Sequence, residues 1–496
     1  MEKKFQENQE ENENQIKKMN HFAYYNSRND EKDNRTLEEK KFYLVIPGNN
    51  PEIVKNALIN YSNLKDSYLD ENDDYSFLSF IWKPTQFTLK QQFKIDNINY
   101  NRAYPLIVNH IESFRTILTK NGLYKSLKNY YSNNTLALLH QYNENESVPT
   151  TFVIEPEFSE EEFSAFTKRF KEISLGNYQN EPIPSKHCIM NMWLVKPANQ
   201  NQGRGIDTFK KFKEIKEKIY GNEQKNCWII QKYIEKPLLY EGRKFDIRVW
   251  ALLLDSVNLF IYKEGYIRTS SEKYSVQSSQ NFVHLTNNCL QIHNPNYGNF
   301  EEGNTLSFDT FKNYLKSNYQ EKCILFEEHI FTRIKDLIID SILSARSEIS
   351  IGKKKYSFEF IGYDFLIDED FRVWLIEANV NPYIGVANHY IKGLLDQMLK
   401  DLFEIVFYKT YSSNGISISN NFQLVYCEKG SIFSPSAINS RSAFSKKNLY
   451  PPTINSPLIH LEGKTKKKNV FLFRIKVAFI FQIQNLVFIS KNHWIL

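Results

Sequence analysis

A mixed α/β fold built around a buried polar site is what this sequence predicts, and three features predict it. Between Cys188 and Phe407, strand-like and helical apolar patterns alternate. Two strongly apolar runs, Phe358 to Ile367 and Arg372 to Ile376, are separated only by Asp368-Glu-Asp370 and read as a hairpin, with Asp364 embedded in the first. In Gly242-Arg-Lys-Phe-Asp-Ile-Arg-Val-Trp250, strand periodicity sets Lys244, Asp246 and Arg248 on one face and Phe245, Ile247 and Val249 on the other.

Taken in order, residues 1–36 are rich in Glu, Asn and Lys and poor in apolar side chains, so they predict disorder. Phe42-Tyr-Leu-Val-Ile46 is strand-like and closes on Pro47-Gly48, a turn signal. Pro51 to Leu64 has helical apolar spacing, Asp66 to Asp74 reads as an acidic loop, and Phe77 to Ile81 as a short strand. Together these predict a small α/β module over residues 37–104. Ile107 to Tyr131 reads as one amphipathic helix with Arg115, Lys120, Lys125 and Lys128 on it, a solvated face or a contact for an acidic partner. Further strands are expected at Met192–Lys196, Cys227–Ile234, Ile247–Leu254 and Leu259–Tyr262. Helices are expected at Thr208–Tyr220, Ile330–Ile349 and Gly393–Tyr408, within a main domain of residues 105–410. From 411 to 496, Ser, Asn and then a basic run predict a disordered tail.

Composition narrows the function classes. Hydrophobic residues make up 41% and charged residues 24%, as in ordinary globular proteins. A net charge of +6 is too small an excess to argue for nucleic acid. Five dispersed cysteines, without metal-type spacing, fit reduced thiols in the cytosol. The N-terminus has no apolar signal region, and no stretch reaches the ~18–20 apolar residues that span a bilayer. No membrane partner is therefore expected.

Four segments carry chemistry. Lys196-Pro-Ala-Asn-Gln-Asn-Gln-Gly-Arg-Gly-Ile206 ends a strand in a lysine and enters a loop with Gly203 and Gly205. Its backbone N–H groups can approach phosphate, although a lysine before a glycine turn is also an ordinary structural device. It is not a Walker loop, because the Gly-Lys-Ser/Thr end is missing. Trp228-Ile-Ile-Gln-Lys-Tyr-Ile234 turns from apolar to polar at Gln231, as an edge strand or a strand bordering an adenine. The charged face of Lys244, Asp246 and Arg248, with Arg268 nearby, lines either solvent or a site. Asp364, Glu377 and Asn379 offer three hard oxygen ligands on paired strands, which suits Mg²⁺; a salt-bridge network is the other reading.

In order along the chain, the Lys196 loop, Gln231-Lys-Tyr-Ile234, Lys244-Phe-Asp-Ile-Arg248, His284-Leu-Thr-Asn287, Gly362-Tyr-Asp364 and Glu377-Ala-Asn-Val-Asn-Pro382 resemble the tubulin–tyrosine ligase and ligase-like family. The resemblance covers about residues 105 to 405. It implies an ATP-grasp fold using ATP and Mg²⁺. Lys196, Gln202 and Gly203 are then expected at the phosphates, and Gln231, Lys232, Tyr233 and Ile234 around adenine. Lys244, Asp246, Thr286 and Asn287 complete the nucleotide site, and Asp364, Glu377 and Asn379 hold Mg²⁺. Lys244, Arg248 and Arg268 are the expected catalytic cations, with the two arginines facing the acceptor carboxylate or its acyl phosphate. The implied reaction joins a free amino acid to a protein carboxylate, on the acidic tails of tubulin or microtubules, in the cytoplasm and cytoskeleton, with cilium or basal body as the narrower location. Tyrosine, glycine and glutamate stay open as the added residue. An inactive microtubule binder of the same fold, or a ligase acting on another protein, are the rival readings.

Overall fold

Strands β1 (Lys41–Val45), β3 (Leu78–Trp82) and β4 (Ile107–Asn109) are short, apolar and parallel, and β2 (Leu64–Asp66) lies beside β1. They do not form a sheet of their own. β4 pairs in parallel with β13 (Ser357–Ile367), so the first strands continue the large sheet that carries Asp364. The structure, a computed structural model, describes residues 41–427 except 60–63, 67–73, 101, 103–104, 113, 115–118, 134–146, 157–159, 179–186, 199, 201–202, 222–225, 255–257, 323, 347–355 and 412–419. The expected N-terminal disorder, Arg115, Gln202 and most of the tail lie outside the described residues.

The large sheet runs β12-β11-β10-β13-β4-β3-β1-β2, where β12 is Thr305–Ser307, with β14, β15 and β9 (Leu239–Tyr240) pairing onto it. Its centre is the antiparallel set β10 (Arg243–Leu254), β11 (Asn258–Lys273), β13 and β14 (Val373–Val380). A second, four-stranded sheet runs β5-β8-β6-β7, from β5 (Thr151–Ile154), β6 (Trp193–Pro197), β7 (Asp207–Phe209) and β8 (Trp228–Lys232).

Helices cover the outer faces. One face of the large sheet packs Ile247, Val249, Ile361 and Phe365 against α9 (Thr332–Ser344) and α3 (Lys120–Asn133). The opposite face packs Trp250, Leu252, Phe358 and Phe360 against α1 (Pro51–Ile59) and α10 (His389–Tyr411). Strands buried on both faces carry apolar side chains at odd and even positions alike, which explains why β13 is apolar on both faces apart from Ser357, Glu359 and Asp364. The small sheet buries Phe152, Trp193 and Ile230 under α4 (Glu160–Ser174) and α5 (Phe212–Tyr220). At roughly 1.5–3 kcal/mol for each large apolar side chain buried, these three cores supply the main driving force.

Several expectations change. Ile107 to Tyr131 is not one helix. Ile107-Val-Asn109 is fully buried, its first two residues are β-branched, and it pairs with both β3 and β13, so a strand wins there; the helix begins only at Lys120. Thr208 belongs to β7, not to the helix that follows. β11 extends to Lys273, well past Tyr262, because pairing with β10 carries it through Glu264 and Gly265. The expected tail contributes β15 (Phe422–Tyr426), which pairs with β11 at Tyr262↔Phe422. Phe422 is buried against the Tyr262 ring, 4.8 Å between centroids, and Asn420 and Asn421 hydrogen-bond Asp401 of α10.

β15 therefore belongs to the folded unit. Phe422→Ala should lower unfolding free energy by about 3 kcal/mol in urea denaturation. A chain ending at residue 410 should be less stable than one ending at 427. Equal midpoints for the two chain lengths would show that β15 adds nothing.

Candidate active site

Antiparallel pairing sets cross-strand partners on one face of a sheet. In this sheet the register puts Asp246 opposite Arg268, Arg248 opposite Asp364, and Asp364 opposite Glu377. The two arginine–aspartate pairs meet side chain to side chain. Arg248 donates from Nε to Asp364 Oδ1 (2.5 Å) and from a terminal nitrogen to Oδ2 (3.1 Å). Arg268 donates to Asp246 (2.6 Å) and reaches Asp364 Oδ2 at 3.0 Å. Asp246 also accepts from the Thr286 hydroxyl, and Asn379 lies 3.4 Å from Asp364. Asp246, Arg248, Arg268 and Asp364 are buried, so each charge must be compensated within the protein. Burial alone would raise the Asp364 carboxyl, but the two guanidinium groups overcome it and hold it below its usual value. Asp246 has a single arginine partner and also feels the Asp364 charge, so burial prevails and its carboxyl is raised.

This ladder faces the small sheet across a narrow cleft of about 90 Å³, lined from the other side by Lys196 of β6 and Gln231 of β8. The cleft shares Arg268, Asn287, Asp364 and Glu377 with a larger cavity of about 670 Å³. The acidic pair therefore stands where two cavities of different size meet.

Two lysines in the cleft are buried without a carboxylate at ion-pair distance among the described residues. Lys196 donates to the Tyr124 hydroxyl (3.1 Å) and to Gln231 Oε1 (3.2 Å). Lys244 donates to the Tyr233 hydroxyl (3.0 Å) and to the His284 carbonyl (2.8 Å), and sits 4.4 Å from the centre of the Tyr233 ring. Burial pushes Lys196 down to about 8, opposed by the Glu377 charge, and Lys244 down to about 7, opposed by Asp246. Two cations held only by neutral partners are a receptacle for an anion that brings its own negative charge.

The Lys244 contacts form a directed chain. His284 Nε2 lies 2.9 Å from the Ser278 carbonyl, which can only accept, so Nε2 carries the proton. Nδ1 then accepts from the Tyr233 hydroxyl at 2.9 Å, leaving the tyrosine oxygen to accept from Lys244. Burial, with the positive charge of Lys244 beside it, lowers His284 to about 4 and keeps this neutral tautomer.

The expected residues fall as follows. Lys196, Gln231, Lys232, Tyr233, Ile234, Lys244, Asp246 and Thr286 line the cleft; Asn287, Asp364, Glu377 and Arg268 line both cavities; Arg248 and Asn379 line the larger one. Gly203 has φ +75°, a left-handed conformation natural to glycine, and lies against Asn287; Gln202 is outside the described residues. The Lys232 ammonium is not available to a ligand: it is fully buried in an ion pair with Glu235 (2.6 Å) and bonds to the Met192 carbonyl. The sequence reading missed Lys120 and Tyr124. Lys120, placed on a solvated face, is buried, 3.3 Å from Glu377, and donates to the Gln200 carbonyl. Tyr124 donates to the Ile376 carbonyl (2.6 Å). No local signal marks them, since both sit in a helix whose tertiary docking decides their role. The remaining basic side chains of that helix are matched as well, Lys125 by Glu155 and Lys128 by Glu162.

Among the described residues no group of three or more His, Cys, Asp or Glu side chains could hold a metal ion. Asp364, Glu377 and Asn379 are instead two carboxylates and an amide on adjacent strands at the junction of the cavities. An all-oxygen, incomplete set of this kind fits Mg²⁺, which takes its remaining ligands from phosphate and water.

The tubulin-tyrosine ligase family model matches residues 101–414. The chain is similar to tubulin glycylase 3B of Tetrahymena thermophila, 33% identical over 255 residues, 50% of this chain and 21% of that protein. It is similar to tubulin monoglycylase TTLL3 of Homo sapiens, 31% identical over 245 residues, 48% of this chain and 31% of the relative. With the probable alpha-tubulin polyglutamylase Ttll1 of Tetrahymena thermophila it shares 27% identity over 360 residues, 68% of this chain and 79% of the relative. The chain thus spans about a fifth to a third of the length of these glycylases.

The two depressed lysines set a pH dependence. Between their folded values, about 7 and about 8, and the ordinary 10.5, the unfolded chain binds more protons than the folded one. Their contribution to stability therefore rises with pH across that window. Urea unfolding of wild type and Lys244→Met, compared at pH 7.5 and 9.5, should show the smaller gain in the variant. Equal gains would mean that Lys244 is not held in this depressed state.

Proposed function

This chain belongs to the tubulin-tyrosine ligase family, and from that premise we propose that it is an ATP- and Mg²⁺-dependent ligase joining an amino acid to a carboxylate on a tubulin tail. The observation that carries the proposal is the junction of a narrow cleft with a wide cavity at Asp364 and Glu377, flanked by Lys196 and Lys244 on one side and Arg248 and Arg268 on the other. The cleft supports a nucleotide: the Gln231–Ile234 strand end, with Lys232 acting through its backbone, beside adenine; Asp246, Thr286 and Asn287 beside the sugar and phosphates; Lys196, Lys244 and the Gln202-Gly203 loop at the phosphates. Mg²⁺ held by Asp364, Glu377 and Asn379 supplies neutralisation of the transferring phosphoryl group.

The protein's own residues then have defined tasks. Arg248 and Arg268 orient the acceptor carboxylate from the wide cavity and stabilise the charge that develops as it takes the terminal phosphoryl group, forming an acyl phosphate. The amine of the incoming amino acid attacks the acyl carbon, and inorganic phosphate leaves. Lys196 and Lys244, gaining an anionic partner, become fully protonated as nucleotide binds. No side-chain nucleophile is needed. On this reading the protein works on cytoplasmic microtubules, including those of cilia or basal bodies.

Glycine is the residue added. A glutamate substrate needs a cation for its second carboxylate. Among the described residues lining the wide cavity the only cations are Arg248 and Arg268, which on this reading already serve the acceptor carboxylate. Glutamate is the second reading, favoured by the longer match to the polyglutamylase.

Mass spectrometry of tubulin-tail peptides incubated with the protein, ATP and mixed labelled amino acids should find glycine incorporated above glutamate and tyrosine. Glu377→Gln, which keeps the shape and removes the charge, should fold normally and reduce incorporation by about 100-fold or more. Wild-type rates in a folded Glu377→Gln protein would remove Glu377 from the reaction, and incorporation of glutamate alone would select the second reading.

A further inference from the structure

The wall of the wide cavity holds one more polar group, and none of the segments that carry the family resemblance contains it. Tyr266 stands on β11 directly across from Arg248 of β10 and two residues before Arg268, so strand period puts the three side chains on one face. Like Arg248, it lines the wide cavity and not the cleft. Its ring belongs to the apolar core that faces α1 and α10, 5.6 Å from the Trp250 ring between centroids. The residue as a whole is 9% exposed.

A tyrosine with a buried ring ordinarily gives its hydroxyl a hydrogen-bond partner. The Tyr266 hydroxyl has none among the described residues, yet it is not one of the unpartnered side-chain atoms shut off from solvent. With the ring in the core and the residue lining the cavity, that oxygen opens into the cavity. Arg248 presents a matching atom. Asp364 takes its Nε and one terminal nitrogen, at 2.5 and 3.1 Å. The other terminal nitrogen has no hydrogen bond among the described residues and is not shut off from solvent either. Both groups are held in place. The two Asp364 contacts clamp the guanidinium. β11 runs so close to β10 that a Cβ at Gly265 would meet the Arg248 carbonyl, and the Tyr390 hydroxyl donates to the Gly265 carbonyl at 3.0 Å. A neutral O–H and a cationic N–H, on side chains that leave neighbouring strands roughly 5 Å apart, suit a single anion with two oxygens.

We propose that Tyr266 is a substrate-binding residue of the wide cavity, its hydroxyl and the open terminal nitrogen of Arg248 together holding the two oxygens of the acceptor carboxylate. The inference rests on the ligase reading for naming that carboxylate as the acceptor's; the paired donors themselves do not depend on it. Tyr266 adds a donor without adding charge, beside arginines that the aspartates already balance. Its place outside the cleft assigns it to the substrate that enters through the wide cavity rather than to the nucleotide.

The test uses the full-length protein with Tyr266→Phe, which keeps the ring in the core and removes only the hydroxyl. KM is measured separately for ATP, for a Glu-rich tubulin-tail peptide and for glycine, and peptide binding is followed by calorimetry without ATP. Tyr266→Phe should raise both KM and Kd for the peptide by about tenfold, the loss of one hydrogen bond to a charged group. KM for ATP and for glycine should stay unchanged. The urea midpoint of the variant should equal or exceed that of wild type, since no internal hydrogen bond is lost. A lower midpoint with unchanged peptide Kd would show a purely structural hydroxyl and overturn the proposal. Equal peptide KM and Kd in the two proteins, or a rise confined to ATP or to glycine, overturns it as well. Peptide affinity that depends on Tyr266 in a protein that incorporates no amino acid would defeat the ligase reading and leave the carboxylate site standing. Ligation that proceeds unaltered in Tyr266→Phe would defeat the site and leave the ligase reading standing.

Discussion

Asp364 is a carboxylate in the middle of an apolar strand, and the structure around it follows from the need to hold that charge. Its two oxygens take three contacts from Arg248 and Arg268. Arg268 in turn requires Asp246, which is closed by Thr286. Removing one member would leave an uncompensated buried charge, which is why buried pairs fail so steeply when broken. The register of four antiparallel strands makes the ladder possible: a shift of one residue in β13 would send Asp364 to the helix-covered face and bring Phe365 or Tyr363 to the arginines.

The electrostatics of the two sides of this ladder differ in kind. On the wide-cavity side, arginine charge is already balanced by aspartate. On the cleft side, Lys196 and Lys244 meet hydroxyl, amide and carbonyl oxygens among the described residues. The lysines are thus the adjustable element, able to take up protons when an anion arrives. The neutral His284–Tyr233 pair keeps Lys244 aimed without competing for its charge. Arginine could not serve in those two positions, because it does not give up its proton.

The architecture also assigns work to regions outside the motifs. β1, β3 and β4 extend the sheet that carries the acidic pair, and their loops close the wide cavity. Helix α3 brings Lys120 to Glu377 and Tyr124 to Lys196, so its docking on β14 and β5 shapes the cleft from outside the sheets. β15 completes the edge of β11 beyond the point where the motifs end.

Local pattern alone was enough for the alternation of strands and helices, the β13–β14 hairpin with its embedded carboxylate, and the one-faced charges of β10, because strand period and side-chain chemistry are properties of neighbouring residues. The same local pattern misread Ile107 to Tyr131, since the three residues Ile107-Val-Asn109 become a strand only when β3 and β13 stand on either side of them. It also left Lys120 and Lys232 undistinguished from other polar residues. Tertiary structure decided that the first lies against Glu377 and that the second is sealed to Glu235. Whether a lysine is surface, scaffold or site depends on what long-range packing places within 3 Å of its last atom, and no spacing along the chain encodes that distance.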